Sequence, residues 1–255
     1  MTDRTPWLPF GAGLRPAGAV RLLCLPHAGA GASVYRAWSQ GLPPTVVPVA
    51  VQPPGRESRC WDEPYRDAAA LTTDLVDALG SVLDEPYAVF GHSMGALLAF
   101  ELVREIRRRG RAAPVHLFVA GRHAPQLPTG TAPMFDASDD ELVAQMRKLG
   151  GTPEAVLSDP DLLATILPLL RADLEVNETY RYVPESPLQV PVTAFAATAD
   201  PRVDRDRMAA WEAQTARSFT LHVLPGDHFA VLRHATFVHS RVASGLADAL
   251  VPEAT

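Results

Sequence analysis

Strand-like apolar runs alternate with helical patterns along most of this 255-residue chain. The strand-like runs fall at 22–25, 46–51, 88–90, 115–120, 192–197 and 220–224. Helical patterns over 67–83, 96–109 and 208–216 separate most of them, and a final helix is predicted over about 229–250. Strands that alternate with helices pack as a mostly parallel sheet with helices on both faces. The sequence therefore predicts an α/β fold, and catalytic groups in such a fold collect at the carboxyl ends of the strands.

The stretch "VFGHSMGALLAF", residues 89–100, places a serine between two glycines where one of these strands meets a helix. The helix is indicated by its apolar spacing, at Leu98, Leu102, Val103 and Ile106. Ser93 therefore lies at a sharp strand-to-helix turn, and Gly91 and Gly95 remove side chains that would collide there. This is the pattern of a nucleophile elbow, which exposes the serine oxygen above the sheet.

A serine hydroxyl is a weak nucleophile until a base accepts its proton. In a fold of this type the base follows the acid late in the chain. His228, in "LPGDHFAV", comes just after the last strand, where such a base belongs. The other late histidines fit less well: His222 lies within the strand, and His234 and His239 lie on the closing helix as surface or packing residues. We therefore predict that His228 is the base.

The acid that orients the base should follow an earlier strand. Asp200, in "VTAFAATADPRVD", comes directly after an apolar run and before a proline that ends it. Asp204 and Asp206 lie on a charged segment that looks solvated, and Asp227 adjoins the base, where adjacent side chains seldom face each other. Asp200 is the predicted third member, holding the imidazole in the correct tautomer.

Two backbone N–H groups are predicted to hold the oxyanion of the reaction. One belongs to Met94, the residue after the nucleophile, and the other to the loop that follows the first strand. That loop reads "LPHAGAGAS", and its small residues let the backbone approach a substrate, so we assign Ala28. The alternative is a glycine-rich turn with no such role. The loop lacks the G-x-G-x-x-G pattern of a dinucleotide site.

Between 120 and 192 the alternation stops, because no convincing strand is present but helix patterns are. Ser138 and Glu141 form a capping box that opens one helix, and Ser158 opens a second, in which Pro168 should produce a kink or a break. So long an insertion is unusual for a simple connection. We expect a helical lid over the site, at approximately 125–187, whose apolar face lines an acyl channel; the alternative is a helical layer that only packs.

Length, charge and composition indicate the domain organisation of the chain and the compartment in which it works. The expected organisation is a single domain, 1–255, with a net charge of −6 that argues against nucleic-acid binding. The first residues do not resemble a signal peptide, and no run of about 18 apolar residues predicts a membrane span. Cys24 and Cys60 are expected to be free thiols in a reducing compartment. These features suit a cytoplasmic enzyme.

Six blocks in order resemble the type II thioesterases of polyketide synthase and nonribosomal peptide synthetase pathways. They are "LCLPHAGAGASVYRAW", "QPPGRESR", "VFGHSMGALLAFE", "VAGRHAP", "LPLLRADLEVNETYRY" and "LPGDHFAVL", from about Arg21 to Leu232. The resemblance implies an α/β-hydrolase fold with a helical lid, and hydrolysis of acyl groups from the phosphopantetheine arm of acyl or peptidyl carrier proteins. We expect no cofactor or metal, and we expect a monomer. The motif positions of the family fall on Ser93, Asp200 and His228, with Ala28 and Met94 as oxyanion donors.

The sequence departs from the family pattern at two positions, Ala30 and Asp227, where glycine is frequent. The first departure could alter loop freedom, and the second places a carboxylate beside the base. Neither removes a predicted catalytic group.

Two other functions remain possible. A carboxylesterase or lipase acting on small oxyesters would use the same triad, and a non-catalytic hydrolase-fold binding module usually lacks a triad member.

The stretch 104–111, "REIRRRGR", is the densest basic segment and could attract an acidic carrier protein. A charged helix end that faces water is the favoured interpretation of that segment.

Overall fold

The computed structural model describes residues 5–12, 16–130 and 132–247, whose strands form a six-stranded sheet. The strands are β1 (Val20–Leu25), β2 (Val46–Ala50), β3 (Tyr87–His92), β4 (Leu117–Ala120), β5 (Val192–Ala197) and β6 (Phe219–Leu224). Their order is β2-β1-β3-β4-β5-β6, and every neighbouring pair is parallel. The predicted parallel α/β sheet is confirmed. Each predicted strand is present, although β4 begins two residues later than 115.

Helices cover both faces of the sheet. They are α1 (Trp38–Gly41), α2 (Ala68–Leu79), α3 (Met94–Arg108), α4 (Asp139–Leu149), α5 (Glu154–Leu157), α6 (Pro160–Glu178), α7 (Arg205–Ala209), α8 (Ala230–Arg233) and α9 (Ala235–Gly245). Alternate residues of β1 face opposite ways: Leu23 and Leu25 pack with α2 and α3, whereas Leu22 and Cys24 pack with α1 and α9. Because successive strand side chains point to opposite faces, a strand buried on both sides is apolar throughout.

Three predicted helices are shorter than the sequence indicated. The helix predicted over 208–216 corresponds to α7, which ends at Ala209 and is followed by a 3₁₀ turn from Ala210 to Gln214. The helix predicted over 67–83 begins after the Asp67 cap but ends at Leu79, and a 3₁₀ turn from Gly80 to Asp84 follows. The final helix is divided between α8 and α9 at His234, which has φ −94° and ψ 39°, and its predicted end lies outside the described residues. The His234 ring donates to the Pro225 carbonyl, a contact that no helical periodicity encodes.

The insertion between β4 and β5 is helical, as expected, but its described residues form three helices rather than two. Ser138 and Glu141 form the predicted capping box of α4, and Asp159 caps α6. Of the two effects expected of Pro168, a kink or a break, the break does not occur, because α6 runs unbroken from Pro160 to Glu178. Pro168 and Ala164, the residue whose carbonyl loses its partner, are both exposed, so water can satisfy that carbonyl.

Two other sequence expectations bear on the fold. Both cysteines are free, with Cys24 buried and Cys60 exposed. Within the described part of the chain, none of the helices combines the length and apolar character needed to cross a membrane.

Candidate active site

The nucleophile elbow is built by close backbone packing between β3, α3 and β1. Ser93 has φ 55° and ψ −117°, an unusual conformation for a residue with a side chain, and its N–H donates to the Ala120 carbonyl at 2.8 Å. A Cβ atom at Gly91 would lie 2.1 Å from the Gly95 carbonyl oxygen, and one at Gly95 would lie 2.2 Å from that of Leu25. Glycine is therefore required at both positions, and the turn lifts the serine hydroxyl above the sheet edge.

Ser93, His228 and Asp200 form one hydrogen-bonded row, from three distant parts of the chain. His228 Nε2 lies 2.9 Å from Ser93 Oγ, and His228 Nδ1 lies 2.8 Å from Asp200 Oδ2. A carboxylate can only accept, so Nδ1 carries a proton and Nε2 is free to accept the serine proton. The side chain of Asp200 is fully buried, and its other oxygen accepts the Arg202 N–H at 2.8 Å. The arrangement can transfer a proton from the hydroxyl to the imidazole.

Two further histidines support the loop that carries His228. The ring of His92 is fully buried and its Nε2 donates to the His228 carbonyl at 2.9 Å, which leaves His92 Nδ1 facing His27 Nδ1 at 3.4 Å. Burial, with the nearby His228 and Arg56, lowers the pKa of His27 to about 4. Burial, with the other two histidines, lowers the pKa of His92 well below its usual value. Both supporting rings are therefore neutral at neutral pH.

The predicted oxyanion donors lie on either side of Ser93. Met94 is the first residue of α3, so its N–H has no partner within the helix. Ala28 lies on the loop after β1, and among the described residues its N–H meets no hydrogen-bond acceptor. Both Ala28 and Ser93 line the same cavity. Free N–H groups at such a position can stabilise negative charge.

A cavity of about 340 Å³ opens beside Ser93 and His228. Helices of the insertion form its far wall, with the apolar side chains of Met146, Leu149, Val156, Ile166, Leu170 and Leu174. The insertion therefore presents an apolar surface across the cavity from Ser93 and His228. A space of this size and polarity suits an acyl chain.

Side chains around the site include some that sequence reasoning left without a role. Arg56 and Asp173 form a buried ion pair next to the Ala28 loop, and Arg122 donates to Asn177 behind the nucleophile at 2.5 Å. Their blocks, "QPPGRESR", "VAGRHAP" and "LPLLRADLEVNETYRY", carried the family resemblance, yet no position in them was assigned. The one available signal was an aspartate inside the apolar helical pattern at 173.

The remaining candidates lie away from the row. His222 packs between Phe195 and Phe237, and His239 is buried against Trp38. Asp204 caps α7, and Asp206 is exposed. Asp227 accepts the Phe229 N–H and pairs with Arg233, and the His228 ring nitrogens bond Ser93 and Asp200 instead.

The basic segment of α3 is exposed at Arg108 and Arg109, as the favoured interpretation expected, but its arginines are also paired with carboxylates. Arg107 and Arg108 bind Glu185, at 2.5 Å each, and Arg109 binds Glu105 and Asp77. Glu185 and Asp77, which lie far from this segment in sequence, place their carboxylates beside it and offset much of its charge.

The family model for the thioesterase domain matches residues 20–245, which include Ser93, Asp200 and His228. The chain belongs to the thioesterase family. It is accordingly a hydrolase that acts on thioesters. The gramicidin S biosynthesis protein GrsT of Aneurinibacillus migulanus is 39% identical over 218 residues, covering 86% of this chain and 85% of that protein.

Solved structures agree with this assignment. RedJ, a thioesterase from the prodiginine biosynthetic pathway in Streptomyces coelicolor, matches with a TM-score of 0.85 and 39% identity, covering 92% of this chain and 94% of that one. YbtT, a type II thioesterase from the yersiniabactin NRPS/PKS pathway, matches with a TM-score of 0.84 and 28% identity over 94% and 98% of the two chains. The α/β-hydrolase-like fold expected of this thioesterase is thus confirmed.

Proposed function

We propose that this thioesterase removes acyl groups from the phosphopantetheine arm of carrier proteins through an acyl-serine intermediate. The observation that carries the proposal is the hydrogen-bonded row of Ser93, His228 and Asp200 at the mouth of an apolar cavity. The row supplies a nucleophile with a base, and the cavity supplies a place for the acyl chain. Neither the row nor the cavity calls for a metal or an organic cofactor.

The first half of the reaction forms the acyl-enzyme. His228 Nε2 accepts the hydroxyl proton as Ser93 Oγ attacks the thioester carbonyl carbon, and the carbonyl oxygen becomes an oxyanion. The N–H groups of Ala28 and Met94 donate to that oxyanion, and Asp200 stabilises the imidazolium. The carbon–sulfur bond then breaks. The pantetheine thiolate leaves with little acid assistance, because a thiol has a pKa of about 8.5.

The second half returns the enzyme to its starting state. Once the thiol product has taken up the proton, His228 is neutral again and can deprotonate a water molecule. The resulting hydroxide attacks the acyl-serine carbonyl, and the oxyanion occupies the same two donors. The Ser93 Oγ leaves with the proton from His228, so the products are the free acid and the original hydroxyl.

The substrate class is proposed from the proteins to which this chain is similar. GrsT, RedJ and YbtT are each named for a biosynthetic pathway, two of them as thioesterases. We propose the same setting here, with acyl or peptidyl carrier proteins of a synthase as partners and removal of stalled or wrongly primed acyl groups as the role. The enzyme would act in the cytoplasm as a monomer.

The substrate class is tested by comparing the hydrolysis rates of a thioester and an oxyester that carry the same acyl chain. The substrates are the acyl-phosphopantetheinyl carrier protein and the oxyester of the same acid. We expect kcat/KM at least tenfold higher for the thioester, and loss of turnover in Ser93→Ala. Ser240→Ala, which changes an exposed serine of α9, is the matched control and should be fully active. Equal or faster hydrolysis of the oxyester would favour the carboxylesterase hypothesis and contradict the proposed substrate.

A further inference from the structure

The loop that carries the Ala28 N–H is held by side chains from other parts of the chain. We name residues 27–33 the oxyanion loop. Its contacts are Gly29 N–H to Asp173 Oδ2 at 2.6 Å, Arg56 Nη1 to the Ala30 carbonyl at 3.1 Å, Ala32 N–H to Gln52 Oε1 at 2.8 Å and Ser33 Oγ to Glu57 Oε1 at 2.6 Å. All four partners lie outside the loop, three of them in the block 52–57. The position of the loop therefore depends on groups distant from the nucleophile.

The Arg56–Asp173 pair is the buried part of this support. Arg56 Nη1 and Nη2 lie 2.6 Å and 2.7 Å from the two oxygens of Asp173, and the side chains are 5% and 2% exposed. A fork of two parallel bonds fixes orientation as well as distance. Buried ion pairs give little net stability, because the cost of removing two charges from water offsets their attraction. A geometric role accounts better for two buried charges at this position.

Asp173 belongs to α6, the helix that also forms part of the cavity wall. Leu170 and Leu174, on either side of it in sequence, line the cavity, and Asp173 Oδ2 accepts the N–H of Gly29, the residue next to Ala28. One helix thus contacts both the acyl space and the oxyanion loop. Any shift of α6 that broke the pair would also release Gly29.

We infer that Arg56 and Asp173 are positioning residues that hold the Ala28 N–H in place for the oxyanion and link the lid helix α6 to the oxyanion loop. The inference rests on the proposed function, in which Ala28 is a donor. Oxyanion donors act mainly in the transition state. Displacing one should therefore lower kcat and leave KM nearly unchanged. Loss of a pair with only a structural role would instead lower the stability of the protein and leave kcat of the folded enzyme unchanged.

The test replaces the pair by apolar residues of similar size, Arg56→Met together with Asp173→Leu. Removing both charges avoids leaving one buried and unpaired, so the variant should fold. The exposed Gly29 N–H can then bind water. Losing an oxyanion donor outright typically costs about 10²–10³ in kcat, so displacement should cost about tenfold to a hundredfold, with KM within about threefold. The matched control, Arg104→Met with Glu101→Leu, removes a comparably buried pair on α3 and should keep kcat.

A second measurement uses an acyl trifluoromethyl ketone, whose adduct with Ser93 places an oxyanion between the two donors. Its inhibition constant should rise in the Arg56–Asp173 variant by the factor that kcat/KM falls. Unchanged kcat and inhibition in the folded variant would overturn the inference, as would equal losses in the control. If the double variant does not fold, Arg56→Lys, which keeps the charge pair but loses the fork of two parallel bonds, replaces it with the same criteria. Wild-type activity in Ser93→Ala would instead refute the proposed function, so the two failures are distinguishable.

Discussion

At the scale of single residues, the proposed nucleophile depends on two glycines at positions where any other residue would carry a Cβ atom. Ser93 keeps a positive φ because Gly91 and Gly95 let β3, α3 and β1 approach within ordinary contact distance. A strained residue of this kind persists only where its surroundings fix it. The sequence pattern predicted this turn correctly, because the requirement for glycine at both flanks is local.

Gly95→Ala tests that requirement. Within a helix this change ordinarily stabilises by about 1 kcal/mol. Here the new methyl carbon would lie 2.2 Å from the Leu25 carbonyl oxygen and 2.6 Å from that of Pro26, so the sign should reverse. We expect the free energy of unfolding, measured by urea denaturation, to fall by about 1–3 kcal/mol and kcat to fall with it.

Gly110→Ala is the control, because no described residue other than its chain neighbours comes within 4 Å of its added Cβ, although φ is 64°. It should cost about 1–2 kcal/mol from backbone strain and leave kcat unchanged. A Gly95→Ala variant more stable than wild type would contradict the packing described for the elbow.

At the scale of elements, α6 combines two functions. Its apolar side chains line the cavity, and its aspartate contacts the oxyanion loop. The pattern of apolar residues predicted the helix, but not the role of Asp173, because its partner Arg56 lies 117 positions away in sequence. The final helix is also divided at a residue that its periodicity did not indicate, His234, whose ring donates to the Pro225 carbonyl. Contacts between distant residues leave no periodic signal.

Ile166→Phe tests whether the insertion sets the accepted chain length. Ile166 lines the cavity, and a larger ring there should shorten the acyl space. We expect kcat/KM to fall at least tenfold for long acyl chains and to stay within about twofold for acetyl, measured across a series of acyl-thioesters. Leu162→Phe, an exposed position on the same helix, should leave the profile unchanged. Equal losses for every chain length would indicate damage to the fold instead of a shorter cavity.

At the scale of the whole molecule, the fold buries several histidines in neutral form. Burial lowers the pKa of His116 and of His123 to about 4, and His27 and His92 are lowered as well. The unfolded chain binds protons on these rings from about pH 6.5 downward, whereas the folded chain resists until about pH 4. Stability is therefore fully present above about pH 6.5 and is lost as the pH falls toward 4.

His116→Gln should reduce this acid sensitivity. The ring of His116 stacks on Phe118 and its Nε2 lies 2.9 Å from Thr193 Oγ1. A pKa that falls from 6.5 to about 4 corresponds to on the order of 3 kcal/mol of pH-dependent stability. Denaturation at pH 7 and at pH 4.5 should give a smaller difference for the variant than for wild type. An unchanged difference would show that His116 does not carry the effect.

Over the whole chain, the features that short segments encode were predicted better than the contacts between residues that are distant in sequence. The parallel sheet, the helical insertion and the elbow follow from residue periodicity and turn chemistry, which short segments encode. The row of Ser93, His228 and Asp200 was predicted from chain order and strand ends, and the structure brings these side chains together. The ion pairs of Arg107 to Arg109 were missed because Glu185 and Asp77 lie elsewhere in sequence.

The central claim is that the Oγ atom of Ser93 is acylated during turnover. The most direct measurement treats the protein with an alkyl fluorophosphonate, which bonds to an activated serine oxygen with loss of fluoride, and then maps the modified peptide by mass spectrometry. We predict one label per chain, located on Ser93, with full loss of thioesterase activity and no labelling of Ser93→Ala. Complete inactivation with Ser93 unmodified, or a Ser93→Ala variant that hydrolyses acyl-thioesters at the wild-type rate, would contradict it.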